Sequence, residues 1–383
     1  MIEAGLRGLR GLLAERLEAA GDLPPEWRKA YDAAPRHVFA PARGWAVPDG
    51  GGAGHAIDRD TDPDAWWESV YSDASLITQA DDGAGDPATG EGSWTSSLSA
   101  PGAVFASLAH LYVHDGQRVL DVGTGTGWTA ALLSARLGDD HVTTVEVDPA
   151  VADQAAKNLA VSGRSPHLVV GDGALGHAAG APYDRVHATC GVQRVPWAWV
   201  EQTRPGGVIV TPWSPGWAYG HLLRLTVGRD RAVGRLVGSA GYMMMRAQRH
   251  PVPGRLGTRP EHRTTPIDPR DVAWDDYGAD VAIAALVPGV VSATTSEGDD
   301  TMEVRVWDGD GSWATTGYQQ GRRGFAVASH GTRRLWDEVA DAYLTWVEWG
   351  RPARDRYGVT VTAEGQKIWL DTPDRVIGPL SPT

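Results

Sequence analysis

Hydrophobic positions along the chain fall into three regimes. Near the start, Leu6, Leu9, Leu12, Leu13 and Leu17 recur at helical spacing over 6–18, and a second helix is expected over 25–33. Residues 44–63 and 81–92 lose that periodicity and fill with Gly, Pro and Asp. Both read as loops, the second either a lid near a site or a solvated insertion of no consequence. From 101 to 212 the pattern changes to short apolar runs alternating with amphipathic ones. Helices are expected over 102–112, 128–137, 150–161 and around 197–202, and strands over 118–122, 141–147, 167–171, 183–188 and 208–211. Strands that alternate with helices predict a parallel sheet covered on both faces, a doubly wound α/β fold.

Residues 250–269 are rich in proline, with Pro253, Pro260, Pro266 and Pro269, and poor in large apolar side chains, which predicts a linker. Beyond it, strands are expected over 302–307, 313–318, 324–328, 359–363 and 367–370. A helix over 333–349 places Leu335, Val339, Tyr343, Trp346 and Val347 on one face. The domain plan is therefore 1–250, a linker over 251–269, and a smaller α+β domain over 270–383.

Composition adds limits. Thirty-five basic against 48 acidic residues give −13, which argues against nucleic acid as a partner. Cys190 is the only cysteine, so no intramolecular disulfide and no cysteine zinc cage can form; no metal site is expected. No run is apolar enough to cross a membrane, and a cytoplasmic protein with no membrane partner is expected. Seventeen Trp against three Phe assign the aromatic packing to Trp; Trp307, Trp313, Trp336, Trp346, Trp349 and Trp369 suit a core or a binding surface. Asp308-Gly309-Asp310-Gly311 has the start of a calcium loop without its later ligands, and reads as a hairpin turn.

The chemistry concentrates in Val119-Leu120-Asp121-Val122-Gly123-Thr124-Gly125-Thr126-Gly127-Trp128, a strand, a glycine turn and a helix start. Glycines at every second position are spaced more tightly than the G-x-G-x-x-G of dinucleotide folds. Glu146 ends the next strand, where a carboxylate can accept both hydroxyls of a ribose. Asp172, in Gly171-Asp172-Gly173, suits an adenine amine, and Asp121 a ligand ammonium. Together these groups describe S-adenosyl-L-methionine better than a phosphate cofactor. The expected cofactor residues are Asp121, Gly123, Thr124, Gly125, Gly127, Glu146, Asp172 and Gly173.

Motifs outside this run carry a resemblance. They are Pro35-Arg36-His37-Val38-Phe39-Ala40-Pro41, Tyr71-Ser72-Asp73 with Leu76, and Ser97-Leu98-Ser99-Ala100-Pro101. They continue with Gly171-Asp172-Gly173, Ala181-Pro182-Tyr183-Asp184-Arg185, Pro205-Gly206-Gly207 and Tyr242-Met243-Met244-Met245-Arg246. In this order over 1–250, they resemble the protein-L-isoaspartate (D-aspartate) O-methyltransferase family. The chain departs from its pattern at Ser97, usually Thr, and at Gly102, commonly His. Ordinary members end near 250, and the longer form resembles actinobacterial members associated with ribosomal peptide tailoring.

The resemblance implies a Rossmann-like fold, S-adenosyl-L-methionine as cofactor, and a peptide or protein partner bearing Asp or isoAsp. It also implies that Ser99 orients the acceptor carboxylate, with Ser97 a second donor and Asp73 supporting the loop; capping of the helix after Pro101 is the other use for the two serines. No His–Asp pair stands near the motifs, and carboxylate methylation requires none. The expected activity is methylation of an aspartyl residue in a ribosomally synthesised peptide, the ester then closing to succinimide. The alternatives are repair of isoaspartyl damage and a non-catalytic binding module on the same fold.

Overall fold

The computed structural model describes residues 2–217, 220–249, 260–274, 276–297, 300–322 and 324–379. The chain divides into two compact units, residues 1–190 with 198–211, and residues 191–197 with 212–383. The division falls before the boundary expected near 250, for a physical reason. Strands β10 (His221–Val227) and β11 (Ala232–Ser239) form a hairpin, and β11 pairs antiparallel with β17 (Tyr357–Thr362), as in Gly234↔Val359. Sheet pairing thus assigns residues expected in the first domain to the second unit. Residues 250–259 of the expected linker lie outside the described residues. The rest is no linker, because β12 (Glu261–Thr265) is a strand paired with β16 (Phe325–His330).

The first unit opens with α1 (Ile2–Ala20) and α2 (Arg28–Ala33). The stretch 44–63, expected as loop, instead holds β1 (Arg43–Pro48) and β2 (His55–Asp58), which join β3 (Ala74–Ala80) and β4 (Trp94–Leu98) in a four-stranded antiparallel sheet of order β2-β1-β3-β4. Between β2 and β3 runs α3 (Pro63–Val70), capped by the Asp62 carboxylate on the Ala65 N–H. The stretch 81–92 is pinned. Asp81 exchanges backbone and side-chain hydrogen bonds with Ser93, and Arg43 pairs with Asp86 at 2.9 Å. It does not behave as a free lid.

A parallel sheet follows, built from β5 (Val119–Val122), β6 (Val142–Glu146), β7 (His167–Val170), β8 (Tyr183–Ala188) and β9 (Thr203–Trp213). The pairings give the order β9-β8-β5-β6-β7. Helix α4 (Pro101–Leu111) packs on β8, α5 (Trp128–Leu137) on β5 and β6, and α6 (Pro149–Val161) on β6 and β7. The short helix α7 (Trp197–Glu201) stands where a helix was expected around 197–202. Every residue of β5 and β6 is buried, as a sheet with both faces covered requires. This is the doubly wound, Rossmann-like α/β fold expected. The strand order runs one way from β5 to β7 and the other way from β8 to β9. The carboxyl ends of β5 and β8 therefore flank a switch point, where such sheets bind ligands.

In the second unit, β11 and β17 continue into β18 (Gly365–Leu370) and β19 (Val376–Pro379). A separate antiparallel sheet runs β12-β16-β15-β14-β13, with β13 (Val291–Glu297), β14 (Thr301–Trp307) and β15 (Trp313–Gln319). Helix α8 (Pro269–Trp274) is short, and α9 (Tyr277–Leu286) and α10 (Leu335–Glu348) pack on each other. Trp307, Trp313, Trp336, Trp346 and Trp369 are all buried, so the core use of these tryptophans holds; only Trp349 of the six is half-exposed. Asp308 accepts the Asp310 and Ser312 N–H groups in the β14–β15 turn, as the hairpin reading expected.

Candidate active site

The switch-point crevice is floored by the glycine turn after β5. Gly123 has φ +92°, and a Cβ there would stand 2.9 Å from Thr189 Oγ1, so only glycine fits. Thr189 in turn donates to the Gly123 carbonyl, tying the end of β8 to the turn. The turn's own donors are used internally: Gly123 and Thr124 N–H bond Val145 O at 2.9 and 3.2 Å, and Gly127 N–H bonds Thr124 O. Gly125 N–H goes to Glu146 Oε2 at 2.9 Å. A phosphate-binding turn leaves such donors for its ligand. This one does not.

Carboxylates surround the crevice instead. Glu146, at the end of β6, is buried, and its second oxygen accepts the Asp148 N–H at 3.0 Å. Asp172 lies exposed after β7, with one oxygen capping the Ala174 N–H; Gly173 beside it is buried. Cys190, just past β8, reports the combined field. Burial first, then the charges of Glu146, Asp121 and Asp172, push its thiol up to about 12.

Asp121 differs from expectation. It has no exposed surface, and both its oxygens are engaged, by His187 Nδ1 and by Thr144 Oγ1, each at 3.0 Å. It sits behind the crevice wall, where its charge acts without direct ligand contact. The His–Asp pair that the motifs did not suggest is therefore present, assembled across β5 and β8.

The antiparallel sheet brings the serine segment to the turn. A Cβ on Gly125 would lie 3.5 Å from the Ser97 carbonyl, so β4 ends against the turn. Ser97 and Ser99 are half-buried, and their hydroxyls bond no other described residue. Neither caps α4. That helix has Ala100 at its cap position without a side-chain bond, and the Gly102 N–H is taken by Asp73 Oδ1 at 2.8 Å. The same carboxylate explains Gly102, because a Cβ there would stand 2.7 Å from Asp73 Oδ2.

Sequence reasoning missed the organiser of this segment. Arg36 is buried completely, and its guanidinium donates to the carbonyls of Val70, Ala74, Leu98 and Ser99. It also stands 5.5 Å over the Trp128 ring. Burial pulls it down to about 10, offset in part by Asp73. Its place in the Pro35–Pro41 motif was the available signal.

The fold and donor set define a Rossmann-like methyltransferase domain. The family profile described as protein-L-isoaspartate(D-aspartate) O-methyltransferase matches residues 53–226. A protein-L-isoaspartate O-methyltransferase 1 of Archaeoglobus fulgidus is 30% identical over 205 residues, 53% of this chain and 78% of that protein. A protein-L-isoaspartate O-methyltransferase of Thermococcus onnurineus is 42% identical over 117 residues, 30% of this chain and 53% of that one. The chain belongs to the protein-L-isoaspartate(D-aspartate) O-methyltransferase family, and its match spans about half the length of several other curated relatives. A solved structure described as a protein-L-isoaspartate O-methyltransferase superposes with TM-score 0.54 at 19% identity, over 95% of this chain and 100% of that one. The likeness is one of fold, and its coverage takes in most of the region past 250.

Proposed function

We propose that the chain is an S-adenosyl-L-methionine-dependent carboxyl O-methyltransferase acting on an aspartyl or isoaspartyl side chain of a peptide or protein. The observation that carries this reading is the character of the crevice. The carboxylates of Glu146, Asp121 and Asp172 add to burial in raising one thiol there, while four N–H groups of the turn are consumed internally. A pyrophosphate would meet like charge and few donors. A nucleoside bearing a sulfonium and an ammonium meets complementary charge.

The roles follow from the geometry. Each oxygen of Glu146 already accepts one N–H, and keeps a lone pair for a ribose hydroxyl. Asp172 has an oxygen left for an adenine amine. Gly123, Thr124 and Gly125 let the ligand approach the main chain, and Asp121 supplies charge from behind. The bound cofactor supplies a methyl group made electrophilic by the positive sulfur.

The acceptor carboxylate, with an ordinary pKa of about 3.9, is ionised at neutral pH and needs no base. The protein's work is to align it and strip its water. Ser99 orients it, Ser97 is a second donor, and Asp73 holds both by anchoring α4. After transfer, the next backbone nitrogen attacks the methyl ester, methanol leaves, and a succinimide closes; hydrolysis opens it to aspartate and isoaspartate.

Starting from isoaspartate, this cycle is repair. Starting from aspartate in a ribosomally made peptide, it installs a succinimide or an isoaspartyl kink. The region past 250, a surface suited to a constrained peptide, favours the second course; a chain described as a protein-L-isoaspartate O-methyltransferase is similar in fold over most of it, which favours the first. Purified protein with methyl-labelled cofactor and matched Asp and isoAsp peptides decides it. Turnover on isoAsp alone ends the tailoring reading, and turnover on Asp alone ends the repair reading. No transfer to either ends the proposal.

A further inference from the structure

The buried Asp121 carboxylate touches neither cofactor nor acceptor in the reading above, having no exposed surface and both oxygens engaged. It stands on the central strand β5, and its register partners on the flanking strands are Thr144 of β6 and His187 of β8. In parallel strands, register partners point to the same face, so the three side chains form a row. Thr144 Oγ1 donates to Asp121 Oδ2 at 3.0 Å, and His187 Nδ1 donates to Oδ1 at 3.0 Å.

The row extends at both ends. Thr144 has one hydroxyl proton and gives it to Asp121, so its 2.7 Å contact with Thr124 Oγ1 is one in which Thr124 donates. At the other end His187 Nε2 lies 2.9 Å from Ser107 Oγ on α4. With Nδ1 donating to Asp121, Nε2 is left to accept from the Ser107 hydroxyl. Every donor in Ser107–His187–Asp121–Thr144–Thr124 is then directed toward a single carboxylate. All five side chains are buried. Thr124 is itself the corner of the glycine turn, between Gly123 and Gly125.

We propose that His187, backed by Ser107, is a positioning residue. It holds the Asp121 carboxylate so that Thr144 and Thr124 fix the turn in its ligand-receiving shape. The inference rests on the cofactor reading given above. A buried carboxylate with one of its two donors removed must reorient to recover a partner, and the hold on Thr124 through Thr144 is lost. The arrangement also ties the turn to α4, whose first residues follow Ser99. One network thus sets the cofactor side and the acceptor side together.

The test is calorimetric titration of the full chain with S-adenosylhomocysteine, which needs no turnover, beside thermal unfolding. His187→Leu fills the space without a donor, and is expected to bind about thirtyfold more weakly. His187→Asn keeps an N–H close to the Nδ1 position, and is expected to bind within about threefold of the native chain. Thr144→Val should weaken binding in the same direction, and combining it with His187→Leu should add less than the sum of the two effects. A folded His187→Leu chain with native affinity and only a lowered Tm overturns the proposal. Should that variant fail to fold, a folded His187→Asn chain that loses more than about tenfold overturns it instead. Absence of binding by the native chain is a different failure, that of the cofactor reading.

Discussion

Glu146 and Gly125 are joined by a hydrogen bond of 2.9 Å from the glycine N–H to the carboxylate, across neighbouring strand ends of the parallel sheet. One side chain thereby shapes the glycine turn and presents acceptors beside it. Replacing Glu146 with Ala should weaken S-adenosylhomocysteine binding by about 2–3 kcal/mol, the worth of hydrogen bonds to a charged acceptor. Glu146→Gln, which keeps one acceptor oxygen, should recover part of it. Equilibrium titration checks both, and native affinity in the Ala variant would remove Glu146 from the site.

Arg36 predicts a stability effect. Arg36→Met leaves the carbonyls of Val70, Ala74, Leu98 and Ser99 without their shared donor inside the fold. The expected loss is about 3 kcal/mol or more, seen as a lower midpoint in urea. Arg36→Lys should rescue little, because an ammonium cannot span four carbonyls as a planar guanidinium does.

Ser99→Ala should lower turnover by about ten- to a hundredfold while leaving cofactor affinity unchanged, as expected for a group that touches the acceptor alone. Equal losses in both quantities would place the hydroxyl on the cofactor side.

Two buried groups of the second unit predict opposing pH dependences. Burial, partly offset by the Trp217 N–H, pushes Asp280 up to about 7. The folded chain keeps a proton there that the unfolded chain releases above about pH 4, so this contribution to stability is lost as pH rises toward 7. His221 has no hydrogen-bond partner among the described residues, and burial lowers it to about 3. The unfolded chain binds a proton below about pH 6.5 that the folded chain refuses, so stability is lost as pH falls. Each slope approaches about 1.4 kcal/mol per pH unit, and between about pH 4 and 6.5 they oppose. Asp280→Asn should therefore lose stability on acidification through this window, and His221→Gln should gain it. Urea midpoints across the window check the signs, and parallel profiles for the two variants would contradict them.

What the sequence made legible was local. The glycine turn, the alternation over 101–212 and the Trp-rich core are patterns within short windows, and each is found in the fold. The strands β1 and β2 were hidden because their residues look like loop until paired, as Trp45 is with both Ala56 and Ile77. Helix α9 carries apolar residues on every side and so shows no stripe. The hold of Arg36 and the pairing of His187 with Asp121 depend on register between distant segments, which no single-sequence spacing encodes. The same is true of β11 with β17, where the domain boundary was displaced.

The central claim is that the crevice between the ends of β5 and β8 receives a sulfonium nucleoside. Calorimetry of the purified chain with S-adenosyl-L-methionine, its demethylated product and a nicotinamide dinucleotide tests it most directly. The account predicts saturable one-to-one binding of the first two, weakened in Glu146→Ala, and none of the third. Heat from the dinucleotide alone, or from none of the three, would contradict it.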